Sequence, residues 1–344
     1  MSFRIALNFE DGATRFIDCN AGEKVLDAAF RNKINLPMDC SDGVCGTCKC
    51  RCEQGEYELG DEYIDDALTA AEAAEGLVLT CQMEVSSDCV IAVPVPSGAL
   101  KLKAEDIAVE IVAVDQLSNR RLGLAVRAAS GSLPDFLAGQ YVNIAVPGAA
   151  DETRSYSFSS RPGADTGTFV IGNVAGGLMS RHLEKMAKAG DRLTLRGPLG
   201  SFYLRAPQRP LLFVAGGTGI APILSMLEVL AAEGTAGHPV TLIYGVRNVT
   251  DLVGMEQIAR LATRIPDLTI ITTCSGLGEV HTRTGRVIAH LDAMHLAEGN
   301  VDIYLCGPPE MVETVRLHVA ELGVTPANFY YEKFIPAQPK VEVA

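Results

Sequence analysis

Cys40-Ser41-Asp42-Gly43-Val44-Cys45-Gly46-Thr47-Cys48 spaces three thiols as C-x4-C-x2-C, and Cys81 follows after 32 further residues. Four thiolates spaced in this way suit a two-iron, two-sulfur (2Fe-2S) cluster, two per iron. A loop that wraps a cluster must bring its backbone close. Gly43 and Gly46 permit that approach and aim N–H groups at sulfur, which helps set the potential. A structural zinc site is the plainer alternative, but its usual signature pairs the ligands as Cys-x2-4-Cys, and Cys81 has no such neighbour. The expected metal ligands are Cys40, Cys45, Cys48 and Cys81.

Outward from that loop, six of the ten cysteines lie between Cys40 and Cys81. Cys50 and Cys52 continue from Cys48 at every second position, so on a strand all three would share one face. They read as extra thiols near the cluster rather than ligands, and Cys19, Cys89 and Cys274 as small core residues. Thiols in this number, clustered, point to metal or redox chemistry in a reducing compartment, not to a disulfide framework. No Cys-x-His pair occurs, so a Rieske-type centre on this chain is not expected. The opening MSFRIALNFEDG lacks the basic and apolar stretches of a secretory signal, and no apolar run is long enough to span a membrane. A cytoplasmic protein is the expectation.

The net charge is −13, and it is unevenly placed: residues 1–99 hold 18 acidic against 7 basic residues, and the remaining 245 hold 24 against 22. Nucleic acid and anionic membrane are disfavoured as partners. The acidic third is either a solubilising surface or a face that docks a basic partner.

The pattern divides the chain into three domains, 1–98, 104–207 and 208–336, with a linker from Pro94-Val95-Pro96-Ser97-Gly98 into Lys101-Leu102-Lys103. In the first, Phe3, Ile5, Leu7 and Phe9 alternate against polar neighbours as a half-buried strand, and Asp11-Gly12 signals a hairpin turn to Thr14–Cys19. Lys24–Lys33 has helical spacing, Thr69-Ala70-Ala71-Glu72 is a capping box, and Cys89–Val93 fits a last strand. This is a small α+β domain. In the second, the candidate strands are Ile107–Val114, Leu122–Val126, Tyr141–Val146, Arg154–Phe158, Thr168–Val174 and Arg192–Arg196. They suggest an antiparallel β-barrel interrupted by a helix near Met179–Lys188. The third alternates strands (Leu211–Ala215, Val240–Tyr244, Leu268–Thr273, Val301–Cys306) with helices (Ile220–Glu233, Met255–Thr263, Val287–Met294, Glu310–Leu322), the pattern of a parallel α/β domain. The tail from Ile335 to Ala344 reads as frayed.

Three further stretches carry chemistry. Arg154-Ser155-Tyr156-Ser157-Phe158-Ser159-Ser160 places an arginine, an aromatic ring and hydroxyls on one strand, though an ordinary exposed strand has the same composition. Gly176-Gly177-Leu178-Met179-Ser180 opens a helix, where free N–H groups and the helix dipole favour phosphate; a plain helix cap is the alternative. Strand Leu211–Ala215 runs into Gly216-Gly217-Thr218-Gly219-Ile220-Ala221-Pro222 and a helix, a turn suited to a dinucleotide pyrophosphate although it is not the G-x-G-x-x-G fingerprint. Cys306-Gly307-Pro308-Pro309 ends another strand on the side where α/β sheets bind ligands; its alternative is a tight structural turn.

Taken in order, the cluster loop, RSYSFSS, GGLMS, GGTGIAP and LCGPPEM resemble the ferredoxin–NADP reductase superfamily. Within it, the chain is most similar to the electron-transfer components of two-component ring-hydroxylating dioxygenases of the benzoate, toluate and anthranilate type. LNFEDGATRFI, LPMDC, IDDALT, VLTCQ, AGQYVN, GPLGSFYL and FYYEKF support the match, which covers about residues 3–334. The resemblance implies a β-grasp 2Fe-2S ferredoxin domain, an antiparallel FAD-binding barrel and a parallel α/β NAD-binding domain. It implies an NADH-dependent oxidoreductase that passes electrons through FAD and the cluster to a separate terminal oxygenase carrying Rieske and non-haem iron, docked transiently through the acidic domain. A diiron monooxygenase or a salicylate hydroxylase is the alternative acceptor. A non-enzymatic metal module is disfavoured by the two nucleotide loops.

By the same resemblance Arg154 faces the FAD pyrophosphate, with Ser155 beside it, Tyr156 lies along the isoalloxazine and Ser157 reaches toward flavin N5. Ile171 offers backbone contacts, and Gly177, Leu178, Met179 and Ser180 hold the pyrophosphate. Gly217, Thr218 and Gly219 approach the pyrophosphate of NADH. Cys306 and Gly307 border the nicotinamide, Glu332 lies nearby, and Phe334 stacks over the flavin. Ser157, Cys306 and Glu332 are the expected catalytic residues. Asp251, shortly after strand Val240–Tyr244, is the expected acceptor for a ribose 2′-hydroxyl and the selector of NADH over NADPH, with Arg247 arguing the other way. One departure stands out. The family's V-x-[KR]-x-V strand reads Val170-Ile171-Gly172-Asn173-Val174 here, so its cation is missing and FAD phosphate binding should lean on Arg154.

Overall fold

The computed structural model describes residues 2–38, 40, 42–98, 105–149, 152–276 and 280–335. Asp39, Ser41, the linker residues 101–103 and the tail beyond Ile335 lie outside the described residues. The chain forms two compact units, whose main division falls at residues 103/104.

In the first unit, β1 (Ser2–Phe9) and β2 (Thr14–Asn20) form the expected hairpin. Ile5 and Leu7 are fully buried, and Gly12 takes the turn at φ 79°. Helix α1 (Val25–Arg31) buries Val25, Leu26, Ala28 and Ala29. Then follow β3 (Lys49–Gln54), β4 (Tyr57–Leu59), α2 (Ala70–Ala74), β5 (Leu77–Leu79), β6 (Met83–Val85) and β7 (Cys89–Val93). The sheet order is β2-β1-β7-β3-β5, with β1 and β7 parallel, and β4 and β6 form a separate ribbon. The capping box at α2 forms as expected: Thr69 Oγ1 accepts from the Glu72 backbone, and the Glu72 carboxylate accepts from the Thr69 backbone.

The second unit opens with β8 (Glu105–Ser118), β9 (Arg121–Ala128), β10 (Tyr141–Ala145), β11 (Thr153–Ser157), β12 (Gly167–Gly172), α3 (Leu178–Lys185) and β13 (Arg192–Leu199). The six strands pair in the order β11-β10-β13-β8-β9-β12. An antiparallel bridge from Phe158 to Phe169 links the two ends of that order into a barrel. Its interior holds Val109, Leu122, Leu124, Val142, Phe158, Phe169 and Ile171.

From residue 211 the chain builds a parallel sheet of β14 (Leu211–Gly216), β15 (Val240–Val246), β16 (Leu268–Cys274), β17 (Asp302–Gly307) and β18 (Asn328–Lys333), in the order β16-β15-β14-β17-β18. Helices α4 (Ile220–Glu233), α5 (Met255–Ala262) and α6 (Pro309–Glu321) cover its faces. Alternation along β14 splits the core. Phe213 and Ala215 pack with α4, whereas Leu212 and Val214 pack with Val312 and Val315 of α6. A strand covered on both faces reads as one apolar run, as LLFVA does.

The helix expected over Val287–Met294 is absent. Two short 3-10 segments, Val287–His290 and Ala293–Gly299, replace it. Asp292 is the reason: its carboxylate accepts from the Met294 backbone at 3.2 Å, and a residue bonded in this way starts a turn rather than continuing one. Strand β18 and the short β4, β5 and β6 were not marked by the sequence pattern.

Candidate functional site

The cluster loop leaves α1 and returns to the sheet at β3. Gly43 and Gly46 sit at φ 79° and 73°, a region that costs other residues. A side chain on Gly43 would lie 2.5 Å from the Glu62 carbonyl oxygen, so this turn needs glycine twice over. The four expected ligands come together as two pairs. Cys48 and Cys81, both buried, place their sulfurs 3.3 Å apart. Cys40 and Cys45 are hydrogen-bonded partners as well. Within each pair one thiol is made acidic by the S–H of the other: Cys45 draws Cys40 down to about 7, and Cys48 lowers Cys81, assisted by the Gly43 N–H. Their partners Cys45 and Cys48 are pushed up by the same contacts and by burial. Two pairs of thiols, three from the loop and Cys81 from the β5–β6 turn, fit a cluster that takes two thiolates per iron.

The remaining thiols take no part in these pairs. Cys50 is buried among apolar groups, and burial pushes it up to about 12. Cys52 meets Cys89 of the neighbouring strand, so the expected shared face with Cys48 near the cluster does not form. Cys48 precedes β3 and belongs to the loop, which breaks the strand alternation. Cys19, Cys89 and Cys274 are buried.

In the second unit, β10 and β11 present the RSYS stretch. Arg154 is ion-paired with Glu152 at 2.8 Å, and Ser155 Oγ donates to Asn143 at 2.7 Å. Tyr156 is partly buried against the barrel core, and that burial raises its phenol. Ser157 is buried, and its Oγ donates to Glu332 Oε2 at 3.4 Å. Glu332 is in turn the register partner of Cys306 across β17 and β18. Ser157, Cys306 and Glu332, far apart in sequence, therefore converge at one place. Cys306 is fully buried, and burial, then the nearby Glu332 charge, pushes its thiol well up. Phe334 follows β18, its N–H donating to the Gly307 carbonyl at 2.9 Å.

The Ile171 side chain points into the barrel core, which leaves only its backbone for a ligand. Met179 is a core residue too. Ser180 ties the loop before α3: its Oγ accepts from the Val174 N–H at 2.9 Å and donates to the Gly172 carbonyl at 3.2 Å. Gly177 is the N-cap of α3 and has no side chain to cover the N–H groups there. In the nucleotide turn, Gly217–Gly219 form a 3-10 segment between β14 and α4. A side chain on Gly219 would lie 2.2 Å from the Cys306 carbonyl oxygen. The two strand ends thus meet backbone to backbone, at the carboxyl edge where such sheets bind ligands.

Asp251 requires a correction. It is 2% exposed. One carboxylate oxygen accepts from Ser118 Oγ at 2.7 Å and the other from Asn248 Nδ2 at 3.2 Å. It ties the β8–β9 hairpin to the parallel-sheet domain, with its carboxylate engaged inside the protein. A local motif could not reveal this, because Ser118 lies 133 residues away. Sequence reasoning also missed Tyr244, whose buried hydroxyl donates to the carbonyls of Asp251 at 3.1 Å and Gly217 at 3.3 Å.

A thiol-paired loop on a β-grasp sheet, a six-stranded barrel and a parallel α/β domain with a glycine turn define an iron–sulfur flavoprotein reductase. The chain matches the 2Fe-2S iron-sulfur cluster binding domain over residues 8–86, the oxidoreductase FAD-binding domain over 110–203 and the oxidoreductase NAD-binding domain over 213–317. It is 50% identical to the toluate 1,2-dioxygenase electron transfer component of Pseudomonas putida, over 97% of this chain and 99% of that one. It is 38% identical to the anthranilate 1,2-dioxygenase electron transfer component of Acinetobacter baylyi, over 97% and 98%. Among solved structures it is similar to a cytochrome P450 reductase of Amycolatopsis, with TM-score 0.70 and 29% identity over 97% of this chain and 100% of that one. The chain belongs to the family of dioxygenase electron transfer components, with FAD, NADH and a 2Fe-2S cluster as its cofactors. Among the described residues no helix is long and apolar enough to cross a membrane.

Proposed function

We propose that the chain takes hydride from NADH and delivers single electrons to the Rieske-type, non-haem-iron terminal oxygenase of an aromatic-acid 1,2-dioxygenase. FAD, when bound, joins a donor of electron pairs to a carrier of single electrons. The chain's own residues position and shield. Ser157 and Glu332 would present a hydroxyl and a carboxylate to bound flavin, Cys306 and Gly307 would border the nicotinamide, and Phe334 would cover the flavin. Gly177 to Ser180 would receive the FAD pyrophosphate with Arg154, whose guanidinium keeps further N–H groups besides the Nη1 held by Glu152. Cys40 and Cys45 hold one iron, and Cys48 and Cys81 the other.

The convergence of Ser157, Cys306 and Glu332 carries this reading, because nothing in a purely structural sheet requires a buried serine to face a carboxylate there. Electrons leave by the cluster loop, whose exposed Asp42 and Val44 give a basic partner an acidic contact with an apolar centre. The test is anaerobic addition of NADH to the FAD- and cluster-loaded protein. Flavin and cluster bands should both bleach, and the reduced protein should drive turnover of a benzoate- or toluate-type oxygenase. Absence of bleaching would sink the whole reading. Bleaching, with transfer only to a diiron monooxygenase, would overturn the partner.

A further inference from the structure

The missing cation at Gly172 has a counterpart across the sheet. Gly172 and Arg121 are register partners in the antiparallel β12–β9 pair, so their side chains leave on the same face. That face looks onto the nucleotide turn, since a side chain on Gly172 would lie 3.9 Å from the Thr218 methyl. Arg121 reaches the same turn, with Nη2 3.0 Å from where a side-chain carbon on Gly217 would sit. Its Nη1 donates to the Arg120 carbonyl at 2.8 Å. Its Nε is buried with no hydrogen-bond partner. Nη2, which faces the glycine turn, is the group placed to meet an anion there.

We propose that Arg121, whose Nη2 faces Gly217, contacts the pyrophosphate of NADH seated on the Gly217–Gly219 turn. This rests on the nucleotide reading of that turn. Glycine at position 172 leaves the space that a long side chain there would fill, and the guanidinium of Arg121 crosses to the turn instead. Arg121 is a binding residue in this account. It holds the dinucleotide in place and leaves the hydride step to Ser157, Cys306 and Glu332.

The experiment is calorimetric titration of the FAD- and cluster-loaded protein with NAD+, ADP-ribose and adenosine. Arg121→Gln should weaken NAD+ and ADP-ribose about tenfold or more, the weight of one charge-assisted hydrogen bond, and leave adenosine nearly unchanged. The double variant Arg121→Gln with Gly172→Lys should recover much of the loss. Arg121→Lys, which keeps a charge on the same stem but not the planar guanidinium, should lose only part of the ADP-ribose affinity, and it decides the matter if Arg121→Gln fails to fold. Unchanged ADP-ribose affinity in Arg121→Gln would overturn the proposal. So would loss of FAD with NAD+ affinity intact, which would assign Arg121 to the other cofactor. Failure of the wild-type protein to bind NAD+ would instead sink the nucleotide reading itself.

Discussion

The cluster loop and the nucleotide turn both depend on glycine, for different reasons. Gly43 and Gly46 hold positive φ, so the chain itself demands them. Gly219 sits at φ −60°, an angle any residue adopts, and is glycine because the Cys306 carbonyl oxygen leaves no room for a side chain. In the first region the backbone angle is the demand common to both glycines, and the Glu62 carbonyl adds a second at Gly43. In the second region the demand comes from a strand some 87 residues further along. Gly46 is therefore set chiefly by its own backbone angle, and Gly219 by what the fold brings against it.

Removing one thiol tests whether the two regions work independently. Cys45→Ser should abolish the cluster absorbance and the reduction of cytochrome c, and leave FAD content and NADH-driven ferricyanide reduction near wild type. Their ligand residues lie in separate compact units. Loss of ferricyanide reduction with FAD retained would mean that the units do not function separately.

Gly219→Ala probes the distant constraint. A methyl group 2.2 Å from the Cys306 oxygen forces the turn and β17 apart. The expected cost is about 1–3 kcal/mol of stability, with a clear rise in KM for NADH and an unchanged cluster spectrum. An unaffected KM would show that the turn tolerates displacement and that its close approach is not part of nucleotide binding. Ser157→Ala is milder. Removing one hydroxyl beside Glu332 should slow flavin reduction by NADH roughly tenfold, read by stopped flow, with the Kd for NAD+ kept. A change in Kd alone would move Ser157 from the reacting centre to a binding role.

The same contrast explains how much was legible in advance. The capping box at Thr69–Glu72 and the β1–β2 hairpin each rest on neighbours in sequence, and the strands and helices around them follow their hydrophobic periods. The apolar run of β14 was readable because both of its faces are covered. The helix over Val287–Met294 was misread because a single carboxylate, Asp292, restarts the turn. Asp251 and Arg121 could not be placed from the chain at all. Their partners, Ser118 and Gly172, are chosen by the packing of the β8–β9 hairpin and by strand register, and neither leaves a mark within a few residues.

Partner docking should give a smaller effect. The first 99 residues carry 18 acids against 7 bases, and Asp42 is exposed on the cluster loop. Opposite charge raises association rates, and salt screens it over about 8 Å at physiological ionic strength. Electron transfer to the oxygenase should slow severalfold as salt rises, and NADH reduction of the flavin should hold steady. Asp42→Lys should flatten that dependence. Because Asp42 also contacts Cys40, Glu62→Lys serves as the second variant, and an unchanged cluster spectrum is the control. A second step indifferent to salt would leave the acidic surface a matter of solubility.

The smallest expected effect concerns Asp251, and it separates the two ways of reading a residue. If position and charge after β15 defined its role, Asp251→Asn would remove repulsion toward a 2′-phosphate and NADPH would gain on NADH. The carboxylate is instead spent on Ser118 and Asn248, inside the protein. An amide in its place keeps one acceptor and turns a donor toward a donor, which costs about 1–3 kcal/mol in a buried pair. The ratio of kcat/KM for NADH over NADPH should therefore stay within about twofold of wild type while Tm falls, since the change acts on the hairpin tie and not on the nucleotide. Ser118→Ala should reproduce the fall in Tm with the same unchanged ratio. A relaxed ratio in Asp251→Asn, with Ser118→Ala neutral, would return Asp251 to the ribose and show that the hydrogen bonds to Ser118 and Asn248 yield when the nucleotide binds.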